Sequence, residues 1–176
     1  MFGLRIPSKF FITKGKGESN FGYYPGAIDK ALKAAGIHNQ NLIFYTSILP
    51  PNAKRIERPK DLPYGAVLET ISAIATGRKG ERTTAALIVA WVLNKRNHKK
   101  VCGLVAEYHG NKTKRSARKY LLGVIKEMFE SRFDAGEYSL KVEDIIIESF
   151  VPKKKFGASI VSICFTEFTE KLNKIR

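Results

Sequence analysis

Cysteine is scarce in this chain of 176 residues: there are two, Cys102 and Cys164, each inside an apolar run. That number excludes a disulfide framework or a zinc cluster and fits a reducing cytoplasm. The three histidines, His38, His98 and His109, lack the short spacings of metal ligands, so no metal site is expected. Long apolar runs are missing too. None approaches the roughly 18 residues that a membrane span needs. Arg5, Lys9, Lys14 and Lys16 interrupt any signal-peptide core at the N-terminus. The phosphate-cradling loops GxGxxG and GxxxxGKS/T are absent, as is the GxSxG nucleophile elbow. Acidic residues are few, 16 against 31 lysines and arginines, which leaves a net charge of +15.

What remains is an ordinary folding composition, 44% hydrophobic and 27% charged, which excludes disorder. The length suits one domain over 1–176 with a core large enough to need no covalent staples. Lys9–Thr13 reads as a short strand, followed by a loop holding Gly15, Gly17 and Gly22. Pro25 and Gly36 bracket a short amphipathic helix over 25–35. Asn41–Ser47 reads as a strand that Pro50-Pro51 stops, and 52–63 as a loop. Three β-like blocks follow at Gly65–Ala75, Thr84–Leu93 and Lys100–Tyr108. Residues 113–133 repeat apolar side chains at helical spacing, with Thr113 placed to cap the start. Val142–Phe150 and Phe156–Phe168 return to strand character. The order β-α-β-β-β-β-α-β-β predicts an α+β layered domain with helices over sheet faces.

Positive charge concentrates at Lys95–Lys100, along Lys112–Lys119 and at Lys153–Lys155. No nucleic-acid motif accompanies these clusters, so they read as hairpin tips and a solvated helix face. A basic nucleic-acid-binding module stays as the alternative, although nucleic acid is not the expected partner.

The stretch Thr46-Ser47-Ile48-Leu49-Pro50-Pro51 is a hydroxyl pair at a strand end followed by a stiff turn. Together with Asn39-Gln40-Asn41-Leu42-Ile43 and Cys102-Gly103-Leu104-Val105-Ala106-Glu107-Tyr108 it resembles the pyruvoyl-dependent arginine decarboxylases. Ala27–Leu32, Pro63–Val67 and Lys155–Ser159 are similar to other segments of that family, in order, over roughly 25–166.

The resemblance implies an α+β fold, specifically a four-layer αββα sandwich. It also implies an enzyme that makes its own cofactor. Cleavage between Thr46 and Ser47 would give pieces 1–46 and 47–176, the second starting with a pyruvoyl group made from Ser47. Serine is required because its Oγ attacks the Thr46 carbonyl and later leaves with it. Asn41 matches the family's oxyanion donor. Its even offset from Ser47 would put both on one face of a regular strand. Glu107 matches the catalytic glutamate, which would donate a proton after decarboxylation. Asp29 matches the aspartate that binds the substrate guanidinium. Read without the resemblance, Glu107 is equally an edge-strand glutamate facing water, and Asp29 an exposed helix carboxylate. The implied substrate is L-arginine and the implied assembly a cytoplasmic homotrimer with no membrane partner. A pyruvoyl-dependent decarboxylase of another amino acid is the alternative.

Overall fold

Runs of Val, Ile, Ala and Thr in the middle of the chain become two stacked sheets. The computed structural model describes residues 3–21 and 23–172. In chain order the elements are β1 (Gly3–Ser19), α1 (Tyr23–Ala35), β2 (Asn41–Phe44), β3 (Ile48–Leu49) and β4 (Lys54–Arg55). They continue with β5 (Val67–Arg78), β6 (Thr83–Asn94), β7 (Lys100–Gly110), α2 (Lys114–Glu130), β8 (Tyr138–Phe150) and β9 (Phe156–Leu172). One sheet has the order β2-β5-β9-β1-β4, the other β3-β7-β6-β8.

Three apolar layers bind these elements into four. Phe10, Leu49, Ile71, Leu87, Val105, Ile163 and Phe165 fill the space between the sheets. Phe11, Ala27, Ala31, Ala35 and Ile160 join α1 to the outer face of the five-stranded sheet. Ala86, Ile88, Leu104, Leu121 and Ile125 join α2 to the outer face of the four-stranded sheet. Helix, sheet, sheet, helix is the expected αββα sandwich, and β6 is buried along most of its length because both of its faces are covered.

Helix α2 begins where its cap predicts: Thr113 Oγ1 accepts from the Ser116 backbone N–H at 3.2 Å. The hairpin tip at 95–99, the connection at 153–155 and the outer face of α2 carry the lysine and arginine clusters in exposed positions. Among the described residues no helix is long and apolar enough to cross a membrane.

Two expectations change. The short first strand and its glycine loop are one 17-residue strand, with Gly15 and Gly17 inside it. Gly22 lies outside the described residues. The glycines are there for contact with α1, not for a turn. A Cβ on Gly15 would stand 2.2 Å from the Ala31 carbonyl oxygen, and one on Gly17 would stand 2.5 Å from that of Ala27. The small side chains of Ala27, Ala31 and Ala35 complete this close approach of helix to strand. The second change is at 41–55, where one strand and a loop become three short strands, described below.

Gly15→Ala should overpack this seam and cost about 1–3 kcal/mol of stability. A fall in the denaturant midpoint with an unchanged slope is the expected result.

Candidate active site

Strand β2 pairs in parallel with β5, Asn41 opposite Val67 and Phe44 opposite Thr70. The Tyr45 N–H still donates to the Thr70 carbonyl, at 2.6 Å. The chain then leaves the five-stranded sheet. At Ser47 it has joined the other sheet: the Val105 N–H donates to the Ser47 carbonyl at 2.9 Å. Ile48 and Leu49 then pair with Leu104 and Gly103 of β7. After Pro50 it returns to the first sheet as β4, beside β1 at the far edge from β2. Residues 45–53 therefore close one end of the sandwich. Leu49 and Ala53 fill the inter-sheet core from this segment.

The Thr46–Ser47 bond thus lies at a sheet-to-sheet crossing. Sheets stack about 10 Å apart. The four Cα steps from Phe44 to Ile48 reach at most about 14 Å when extended. That reach is enough to bridge them, and both ends are hydrogen-bonded to different sheets. Thr46 is exposed and Ser47 half-buried.

Glu107 lies on β7, two residues past Val105 on the same face, a rise of about 7 Å. Its cross-strand partner on β6 is Leu87, a member of the inter-sheet core. Glu107 therefore points toward the gap between the sheets. Burial pushes its carboxyl above the ordinary range, partly offset by the nearby His109. Gly103 allows the contact that holds β3 here, because a Cβ on it would lie 2.9 Å from the Leu49 Cβ.

Asn41 and Asp29 are placed elsewhere. The expected single strand from Asn41 to Ser47 ends at Phe44, so the shared-face argument fails. The reason is the crossing: an edge strand that must supply a partner to the second sheet cannot also continue in the first. At a strand rise, Asn41 lies about 13 Å from Tyr45. Its amide donates to the Gly65 carbonyl at 2.9 Å. Asp29 is exposed on α1, and the five-stranded sheet stands between that helix and β7. One chain therefore brings Ser47 and Glu107 to neighbouring positions on one sheet, and leaves Asn41 and Asp29 on other surfaces.

Sequence reasoning missed Tyr45, Glu69 and Arg5. Tyr45 Oη donates to Glu69 at 2.5 Å, and Arg5 pairs with the other oxygen of the same carboxylate at 2.7 Å. Glu69 within the apolar block 65–75 was the available signal, a charge among residues bound for the core.

The family model for pyruvoyl-dependent arginine decarboxylase matches residues 9–170. The chain belongs to that family. It is 36% identical over 153 residues to the pyruvoyl-dependent arginine decarboxylase of Methanocaldococcus jannaschii, covering 85% of this chain and 86% of that one. The enzyme of the same name from Methanococcus aeolicus is 35% identical over 129 residues, 73% of this chain and 74% of the relative. That of Thermococcus kodakarensis is 31% identical over 144 residues, with 81% and 87% covered. The matched span includes the crossing, Glu107 and all of both sheets except the outer ends of β1 and β9.

The environment of Glu107 has a pH signature. A carboxyl whose pKa rises on folding holds its proton more tightly when folded. Its contribution to stability is complete below the ordinary carboxyl pKa and is lost as pH climbs through the raised value. Glu107→Gln should therefore gain stability relative to the parent at neutral pH and show little difference in acid. Paired denaturation curves at the two pH values check this.

Proposed function

We propose that this protein is a self-processing pyruvoyl-dependent decarboxylase that converts L-arginine to agmatine and carbon dioxide. The observation that carries the reading is the Thr46–Ser47 bond at the sheet crossing, in a chain of this family. A bond held at both ends, with the serine hydroxyl beside its own carbonyl neighbour, favours intramolecular attack.

The processing chemistry balances on the chain's own atoms. Ser47 Oγ bonds to the Thr46 carbonyl carbon and the C–N bond breaks, the freed amine taking the hydroxyl proton. Loss of the Ser47 Cα proton then expels the Thr46 carboxylate. Water replaces the nitrogen, which leaves as ammonia, and residue 47 becomes pyruvoyl. Two pieces result, 1–46 and 47–176.

The surroundings of Ser47 fit such a group. Its carbonyl already accepts the Val105 N–H, and β3 is anchored to β7, so the new terminus would stay in place after cleavage. The pyruvoyl ketone supplies an electron sink for the electrons left when carbon dioxide departs. The chain's residues do the remainder. Glu107, whose carboxyl burial pushes above the ordinary range, delivers a proton to the substrate carbon. Asp29 pairs with the guanidinium. Asn41 has two amide protons; one is committed to Gly65, which fixes the amide and leaves the other for an oxyanion.

Asn41 and Asp29 reach the reacting centre from a neighbouring copy in this reading. Ile43, Phe44, Tyr64 and Val67 are exposed around the β2 edge, an apolar surface that supports assembly. A closed trimer satisfies it with one repeated contact. The free thiols of Cys102 and Cys164 support a cytoplasmic setting.

An intact-mass spectrum under denaturing conditions tests the reading. Two pieces split at Thr46–Ser47 are expected, the larger lighter by ammonia than a serine-terminated chain. A single uncut chain with no arginine turnover would overturn it. Ser47→Ala should abolish cleavage and activity together. Asp29→Asn should leave cleavage intact and raise the KM for arginine at least tenfold, with a smaller change in kcat.

A further inference from the structure

Glu69 is a buried charge that the chemistry above does not use. It is 7% exposed, on the face of β5 that also carries Ile71 and Ala73 into the inter-sheet core. A carboxylate in that layer is costly unless each oxygen is satisfied. Both are. Arg5 Nη1 donates to Oε1 at 2.7 Å, and Tyr45 Oη donates to Oε2 at 2.5 Å. Arg5 is held in turn over the Phe168 ring, 4.1 Å from its centroid. The Tyr45 ring packs on Phe165, centroids 5.6 Å apart. Burial and the Glu69 carboxylate together keep the Tyr45 hydroxyl protonated, so it remains a donor.

Tyr45 is the last residue tied to the five-stranded sheet before the crossing. Its backbone is held by Thr70, its ring by Phe165 and its hydroxyl by Glu69. On the other side Ser47 is held by Val105. Thr46 alone lies between the two anchors. Holding Tyr45 and Ser47 in place limits the conformations open to Thr46, and with them the direction of its carbonyl relative to the Ser47 hydroxyl.

We infer that Arg5, Glu69 and Tyr45 form a positioning relay for self-cleavage, aiming the Thr46 carbonyl at Ser47 Oγ. The relay rests on the cleavage position proposed above. The step it serves is the first one: the C–O bond forms at the Thr46 carbonyl carbon, the C–N bond breaks, and the Ser47 amine receives the hydroxyl proton. None of the three residues touches the reacting atoms through its side-chain polar groups, so all three act through the backbone of residue 45. A displacement of about 1 Å at such a centre costs up to about 100-fold in rate.

The test follows cleavage in full-length chain made by cell-free synthesis, resolved on denaturing gels and by mass. Tyr45→Phe and Glu69→Leu should lengthen the half-time at least tenfold. Glu69→Gln keeps an oxygen acceptor for the tyrosine and should stay within about threefold of the parent. This rescue separates aim from bulk stability, because the glutamine also removes the charge partner of Arg5. Tyr45→Phe keeps the ring packing, so it reports even if Glu69→Leu fails to fold. Hydroxylamine, which cuts the ester once it has formed, should not restore parental cleavage in Tyr45→Phe. Full restoration would place the defect after the first step and overturn the relay. So would a Tyr45→Phe chain cleaved at the parental rate. In both cases parental cleavage at Thr46–Ser47 would leave the functional reading standing, whereas an uncut parent would remove the basis of both.

Discussion

The backbone crossing at residues 45–47 is the constraint on which the rest of the site depends. A strand that ends in one sheet and restarts in another has to break its ladder of hydrogen bonds. Here it does so between Tyr45, tied to Thr70, and Ser47, tied to Val105. The two sheets are held apart by Phe10, Ile71, Leu87, Ile163 and Phe165, so their spacing is set by core volume. That spacing sets the distance the chain bridges between Tyr45 and Ser47. Packing far from Ser47 thus reaches the bond through geometry alone.

The same core sets the electrostatics. Glu107 and Glu69 both face the inter-sheet layer from opposite sheets, and the structure treats them differently. Glu69 has two donors and a buried place. Glu107 makes no comparable pairing among the described residues and sits half-buried beside apolar strand residues. Donors on both oxygens offset the cost of burying Glu69, whereas burial without such partners pushes the Glu107 carboxyl above its ordinary range. The excess of basic residues lies outside this layer, on hairpin tips and the exposed face of α2, where solvent screens it.

Much of this was legible in the sequence, and the reasons for the exceptions are physical. Helix α2 shows itself through apolar spacing and the Thr113 cap, both local signals. The blocks that became β5, β6, β7, β8 and β9 are rich in branched residues and bounded by turns. Gly15 and Gly17 misled because glycine signals both turns and close contact, and only the position of α1 decides between them. β3 and β4 are two residues each, too short for any period to show, and exist because neighbouring strands offer partners. Ser47 and Glu107 could be picked out by family resemblance. Their placement on one sheet, with Asn41 and Asp29 on other surfaces, depends on pairing across the chain that no local pattern carries.

Strand β1 lies between β9 and β4, and its pairing with β9 runs from Gly3 opposite Leu172 to Ser19 opposite Phe156. In a chain severed after Thr46, β1, α1 and β2 all belong to the short piece, while every strand they pair with belongs to the long one. The short piece therefore supplies one edge strand, the strand next to the opposite edge and the helix that covers them, and its two strands do not pair with each other. Severing the chain at this point turns a unimolecular folding problem into a bimolecular one. An intact chain finds its shape with its strands tethered to one another, whereas the two pieces of a severed chain, once unfolded, would have to meet by diffusion.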